Sequence, residues 1–147
     1  MTARAIPAGD ANTRPIRRIL VVDPDTDLRT TLSLMLKFSG YEVHHVADGR
    51  QAIAMHQSKP FDVIVTEIVM ANTDGLEILL ALHKQPTTPK FILLSRKTRV
   101  PLEVFSRIAL HLGADHLLRK PFPPERLLEI VRQVLGEKQN LSGNTWR

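Results

Sequence analysis

The stretch "FDVIVTEIVMANTDG" (residues 61–75) sets a short apolar run, Val63 to Val65, just ahead of an acid, Glu67. A turn and a new helical pattern follow it. A continuous apolar run of this length suits a parallel strand covered on both faces. An acid at the carboxyl end of such a strand stands where open α/β sheets gather their ligand chemistry.

The same punctuation recurs on either side. "RILVV" (18–22), "VIVT" (63–66), "FILLS" (91–95) and "HLLR" (116–119) are short apolar runs bounded by charge, Gly or Pro, and each reads as a buried strand. "YEVHHV" (41–46) alternates more and reads as an edge strand. Helical spacing fills the gaps. Leu28, Leu32, Met35 and Leu36 form one stripe, and Leu127, Val131, Val134 and Leu135 form another. Leu76, Leu79 and Leu80 make a third, Phe105, Ile108 and Leu112 a fourth, and "GRQAIAMHQS" (49–58) a shorter helix. Gly40 and Gly113 sit where helix C-caps take positive φ. Pro101 and Pro123 suit the first turns of the fourth and fifth helices.

Five βα units in series predict a parallel sheet with helices on both faces and right-handed crossovers. At this size the expected fold is α/β, flavodoxin-like and doubly wound, with five strands in the order 2-1-3-4-5 and five helices. Asp23, Glu67, Ser95 and Lys120 each follow a different strand at its carboxyl end. The fold therefore brings them to one crevice.

The whole chain bounds the function. Its 147 residues fit one domain, and no run approaches the ~20 apolar residues of a membrane span. There is no cysteine, which excludes disulfides and thiolate metal sites and suits the cytosol. The net charge of +5 and pI of about 10.0 describe a solvated basic surface better than a nucleic-acid interface. Residues 1–16 and 137–147 lack periodicity and are expected to be flexible tails, the second carrying Trp146. No helix-turn-helix fits after the fifth helix, so neither a DNA-binding domain nor a membrane segment is expected.

"ILVVDPDTDLR", "FDVIVTEIVMANTDGLEIL", "FILLS" and "LGADHLLRKPF" together resemble the receiver domain of two-component response regulators, the CheY-like fold, over residues 17–136. The resemblance implies an acidic pair after the first strand and an aspartate after the third that bind Mg²⁺. That aspartate accepts a phosphoryl group from a histidine kinase. A hydroxyl after the fourth strand and a lysine after the fifth contact the phosphoryl oxygens.

Matched position by position, the resemblance assigns Asp23 to the first acid, with Pro24 at the second acidic position. It sets Glu67 at the phosphoacceptor position, Ser95 as the switch hydroxyl, and Lys120 as the phosphate-contacting lysine ahead of a cis-proline, Pro121. Leu117 takes the place of the switch aromatic, and Ala71 that of a frequent proline. Pro24 offers no ligand. Glu67 carries one methylene more than Asp, which moves its carboxylate out by about 1.5 Å, and misplacing a reacting group by ~1 Å costs about a hundredfold.

These departures predict a stand-alone pseudo-receiver that does not accept phosphate, with Mg²⁺ absent or weakly held by Asp23, Asp25 and Glu67. Asp25 and Asp27 are instead expected to serve the N-terminus of the first helix. Glu67 either imitates the phosphorylated state or forms a structural ion pair with Lys120. Its single charge and two oxygens, against a phosphoryl group's charge of about −1.5 to −2 and three oxygens, favour the pair.

The expected role is cytoplasmic protein binding rather than enzymatic turnover. The partner is a histidine kinase or a downstream signalling protein, met through the fourth helix, fifth strand and fifth helix. The alternative is a conventional phosphoaccepting receiver with a non-standard Mg²⁺ site. A haloacid-dehalogenase-like phosphatase, suggested by "VVDPDT", lacks the expected threonine, because Asp27 stands there. A dinucleotide enzyme lacks its Gly-rich turn. "RKTR" (96–99) reads as a solvated loop. His44 and His45 face opposite ways on a strand, and His56, His83, His111 and His116 have no ligand partners at helical spacing.

Overall fold

Alternation within each strand explains why this sheet carries helices on both faces. The computed structural model describes residues 15–70, 73–83, 88–96 and 102–137. Its strands are β1 (Arg18–Val22), β2 (Glu42–Val46), β3 (Val63–Glu67), β4 (Lys90–Ser95) and β5 (His116–Arg119). Between and after them lie α1 (Thr26–Phe38), α2 (Gly49–Ser58), α3 (Gly75–His83), α4 (Leu102–His111) and α5 (Pro124–Val134). All strand pairs are parallel, in the order β2-β1-β3-β4-β5, as the sequence predicts.

Ile19, Val21, Val63, Val65, Ile92 and Leu94 turn to one face and pack with Leu32 and Leu36 of α1 and Leu127 and Val131 of α5. Their strand neighbours Leu20, Val22, Ile64, Phe91 and Leu93 turn to the other, against Ala52, Ile78, Leu79, Leu82 and Ala109. Both sets are almost wholly buried, which is why the strands read as unbroken apolar runs. The edge position predicted for β2 holds.

Local chemistry sets the helix ends. Asp25 caps α1, its Oδ1 accepting the Leu28 N–H at 3.2 Å, and Asp27 lies in the first turn. Gly40 and Gly113 take φ of +101° and +112°, as their places behind α1 and α4 predict.

Three details differ from the sequence reading. Pro123 is the extended N-cap of α5 (φ −69°, ψ 139°), and Pro124 takes the first helical position. The ring of Pro124 bars its predecessor from helical geometry. In α4, Ile108 is exposed and the small Ala109 faces the sheet, while Leu112 packs against the core as its spacing predicts. In α3, Leu80 is exposed while Ile78, Leu79 and Leu82 are buried. Ala71, Lys97–Arg99, Pro101, the Phe105 side chain and most of both expected tails lie outside the described residues.

At the start of the sheet Arg18 donates from Nε to Glu42 Oε2 at 2.8 Å, and the ring of His44 lies 3.0 Å from the same oxygen. These contacts hold the Glu42 carboxyl down at about 2, with Arg18 the larger cause. A depressed carboxyl contributes stability above its ordinary value of 4.5 and loses it as pH falls towards 2. Glu42→Gln is therefore expected to lose less stability than the native chain across that window in acid-unfolding curves. Parallel curves would show that the contact contributes nothing.

Candidate functional site

Four strand ends assemble the site. Asp23 leaves β1 with its N–H donating to Val46 O at 3.1 Å, while Arg29 Nη1 donates to Asp23 O at 2.7 Å. Glu67 is the last residue of β3, paired in register with Leu94, so the strand runs one residue further than predicted. Ser95 ends β4 beside Arg119. The Lys120 N–H donates to Ser95 O at 2.8 Å, and the Lys120–Pro121 peptide is cis.

The side chains meet as the topology requires. Lys120 Nζ donates to Asp23 Oδ2 at 2.8 Å and to Glu67 Oε1 at 2.6 Å. The remaining carboxylate oxygens are also engaged. Asp23 Oδ1 accepts the Asp25 N–H at 2.9 Å, and Glu67 Oε2 accepts the Ile68 N–H at 3.1 Å. Both carboxylate side chains are only 1 % exposed, and that of Lys120 is 16 % exposed. Burial alone pulls the Lys120 ammonium down, but hydrogen bonds to Asp23 and Glu67, with their charges, outweigh it and leave the pKa raised.

A metal must compete with these contacts. Mg²⁺ demands oxygens at about 2.0–2.1 Å in near-octahedral array. Here every carboxylate oxygen of Asp23 and Glu67 already accepts a hydrogen bond, and an ammonium stands between the two groups. Pro24 is exposed and supplies no ligand, and Asp25 spends Oδ1 on its helix cap. Among the described residues no three His, Cys, Asp or Glu side chains are grouped to hold an ion.

Two contributors were not legible as site residues. Arg96, assigned from sequence to a solvated loop, has Nε 3.6 Å from Glu67 Oε1. Its position directly after Ser95 at a strand end was the available signal. Gly75 lets the start of α3 reach the Glu67 backbone, its N–H donating to Ile68 O at 2.8 Å. A Cβ there would lie 2.5 Å from Glu67 O and 3.0 Å from Ile68 Cα. Gly75→Ala is expected to cost about 1–3 kcal/mol in urea unfolding, as overpacking does. A variant as stable as the native chain would show that the β3–α3 connection gives way freely.

The other candidates separate. The Ser95 hydroxyl is buried and, among the described residues, finds no hydrogen-bond partner. Leu117 is partly buried against the cluster holding Ala109 and Ala114. The His45 ring accepts from Arg29 Nε at 3.0 Å, whereas His44 meets Glu42. His56 is buried, and its Nδ1 accepts the Phe61 N–H at 3.0 Å, a structural contact.

A doubly wound 2-1-3-4-5 sheet with carboxylates, a hydroxyl and a lysine over the carboxyl ends of its strands defines a CheY-like signalling module. The chain belongs to the response regulator receiver domain family, which matches residues 19–132. It is 36% identical over 118 residues to the response regulator MprA of Mycolicibacterium vanbaalenii, covering 80% of this chain and 50% of that protein. It is 32% identical over 124 residues to the alkaline phosphatase synthesis transcriptional regulatory protein PhoP of Bacillus subtilis, covering 84% and 50%. The chain thus spans about half the length of these curated relatives.

Among solved structures, the chemotaxis protein CheY4 of Vibrio cholerae superposes with a TM-score of 0.73 at 32% identity, covering 82% of this chain and 99% of that one. A CheY-like receiver domain protein of Methanospirillum hungatei gives 0.73 at 30% identity, covering 83% and 95%. Residues 19–132 form a receiver domain of two-component signalling. Among the described residues no helix is long and apolar enough to cross a membrane.

Proposed function

We infer that this receiver works as a phosphorylation-independent protein-binding module, with Glu67 in a structural rather than a chemical role. One observation carries the reading: Lys120 Nζ lies 2.6 Å from Glu67 Oε1 and 2.8 Å from Asp23 Oδ2, which ties up the groups a phosphoryl donor would need. A carboxylate held by an ammonium is a poorer nucleophile, and the expected ligand position at Pro24 is empty of donors. The reading carries no enzymatic turnover and no resident cofactor. The partner is a histidine kinase or a downstream signalling protein in the cytoplasm. It meets the α4/β5/α5 face, where Val104, Ile108 and Leu110 are exposed.

The conventional phosphoaccepting reading has one observation in its favour, the buried Ser95 hydroxyl, which has no partner among the described residues. An orphaned buried donor costs roughly 1–3 kcal/mol and suits a group kept for a ligand. Intact-mass measurement after incubation with Mg²⁺ and acetyl phosphate decides between the two. The expected result is unmodified protein. A base-labile phosphoryl adduct on Glu67 would establish the conventional reading.

A further inference from the structure

We propose that the outer face of α1 is complementary to itself, and that a second copy of this chain docks on it antiparallel across a two-fold axis. The proposal uses none of the side chains that meet at the crevice, so it stands apart from the reading of Glu67. On its inner side α1 buries Leu32, Ser33 and Leu36, with Leu28 and Met35 packed partly against the same cluster. The outer side exposes Thr30, Thr31, Leu34, Lys37 and Phe38, with Asp27 a turn ahead of them. Leu34 is 51 % exposed and Phe38 89 % exposed. Four residues apart, they adjoin on one helical face and form a patch rather than scattered apolar residues.

The charges of α1 say what covers this patch. Arg29 turns back to Asp23 O and His45 Nδ1. That leaves Asp27 in the first turn and Lys37 in the last, and neither joins an ion pair among the described residues. A helix with its acid at one end and its base at the other matches an antiparallel copy of itself, whereas a parallel copy would set like charges together. With the axis level with Leu32, Asp27 of each copy faces Lys37 of the other. The same register sets Leu34 against Thr30 between the two ion pairs, and Phe38 against Thr26 at each end. The helix dipoles then oppose each other, which adds to the match. Size sets the strength. The 13 residues of α1 span about 20 Å, and two such faces cover less than the roughly 1,200 Å² at which standard stable interfaces begin. The dimer is therefore weak, with a Kd on the order of 100 µM.

Sedimentation equilibrium from roughly 10 µM to 1 mM, on either side of that value, tests the proposal. Native protein is expected to pass reversibly from monomer to dimer and no further, because a two-fold contact closes on itself. Phe38→Ser, at an exposed position where core packing is not at stake, should weaken the dimer at least about tenfold. Asp27→Lys and Lys37→Asp should each weaken self-association by at least roughly tenfold, since like charges then meet at both ends. An equimolar mixture of those two variants should dimerise about as well as native protein, because each supplies at both contacts the charge that the other lacks. Native protein that stays monomeric at about 1 mM would leave the face to a different partner and overturn the proposal. Species larger than a dimer, a Phe38→Ser variant that dimerises like native protein, or a mixture no better than its components would also overturn it. If either charge variant does not fold, Phe38→Ser decides. None of these results bears on phosphoryl labelling at Glu67, so the two readings fail separately.

Discussion

Lys120→Met should lower the stability of this domain more than any other single change at the site. Breaking a buried pair by deleting one partner costs roughly 3–5 kcal/mol, because the charge left behind has lost its compensation. Two carboxylates depend on this one ammonium, and both are 1 % exposed. Water at the Lys120 stem reduces the penalty, to about 2–4 kcal/mol. Urea unfolding at neutral pH measures it. A cycle with Glu67→Gln should return a favourable coupling of about 1 kcal/mol or more, and additive losses would mean that the 2.6 Å contact is energetically empty.

The pH dependence carries a definite sign. The Lys120 pKa is raised above 10.5 in the folded chain. A raised basic group contributes fully below its unfolded value, here about 10.5, and loses its contribution as pH climbs through the folded value. The native chain should therefore lose stability faster than Lys120→Met in alkali above that point, and the two curves should run parallel below it.

The second large effect is repair. Glu67→Asp alone should restore little phosphorylation, because the position of Pro24 still lacks a ligand. Pro24→Asp alone adds the acid but leaves the acceptor carboxylate about one bond too far out. The double variant sets three carboxylates against the two cations, and it shortens the acceptor. The freed aspartate oxygen can then attack phosphorus in acetyl phosphate, forming the acyl–phosphate bond as acetate leaves. With Mg²⁺ present, labelling should exceed that of either single variant by at least about a hundredfold, a non-additive gain. Base should remove the label. An inert double variant would show that acceptor reach and metal charge are not what silences the site.

How much of this was legible beforehand depends on which physical quantity the sequence encodes. Burial on both faces imposes unbroken apolar runs, so the strand at 18–22 matches the structure residue for residue. The strand at 116–119 matches in its bounds as well, although it lies at the sheet edge and only Leu118 of it is buried. Amphipathic helices show their buried stripe wherever the stripe is long. Leu32, Leu36, Leu127 and Val131 are buried as their spacing predicts. The stripe fails in α3 and α4, where Leu80 and Ile108 face solvent. A short apolar helix gives periodicity too few turns to fix which side is buried, and packing against the sheet settles it.

The sequence by itself determined the alternation of elements, the order of the strands, and hence that Asp23, Glu67, Ser95 and Lys120 end beside one another. Strand ends in a parallel sheet share one edge, so a polar residue after each apolar run is enough to foresee the crevice. Only the tertiary structure decided which atoms pair. Lys120 reaches Glu67 across 53 residues and Asp23 across 97, and the choice of oxygens depends on the depth of each strand end. It also brought Arg96 to Glu67, extended β3 to include the acid, and left the Ser95 hydroxyl without a partner among the described residues. Periodicity reports whether a side chain is inside. The closing of charges over short distances is a property of three-dimensional packing, because Coulomb energy falls with separation in space and is blind to separation along the chain.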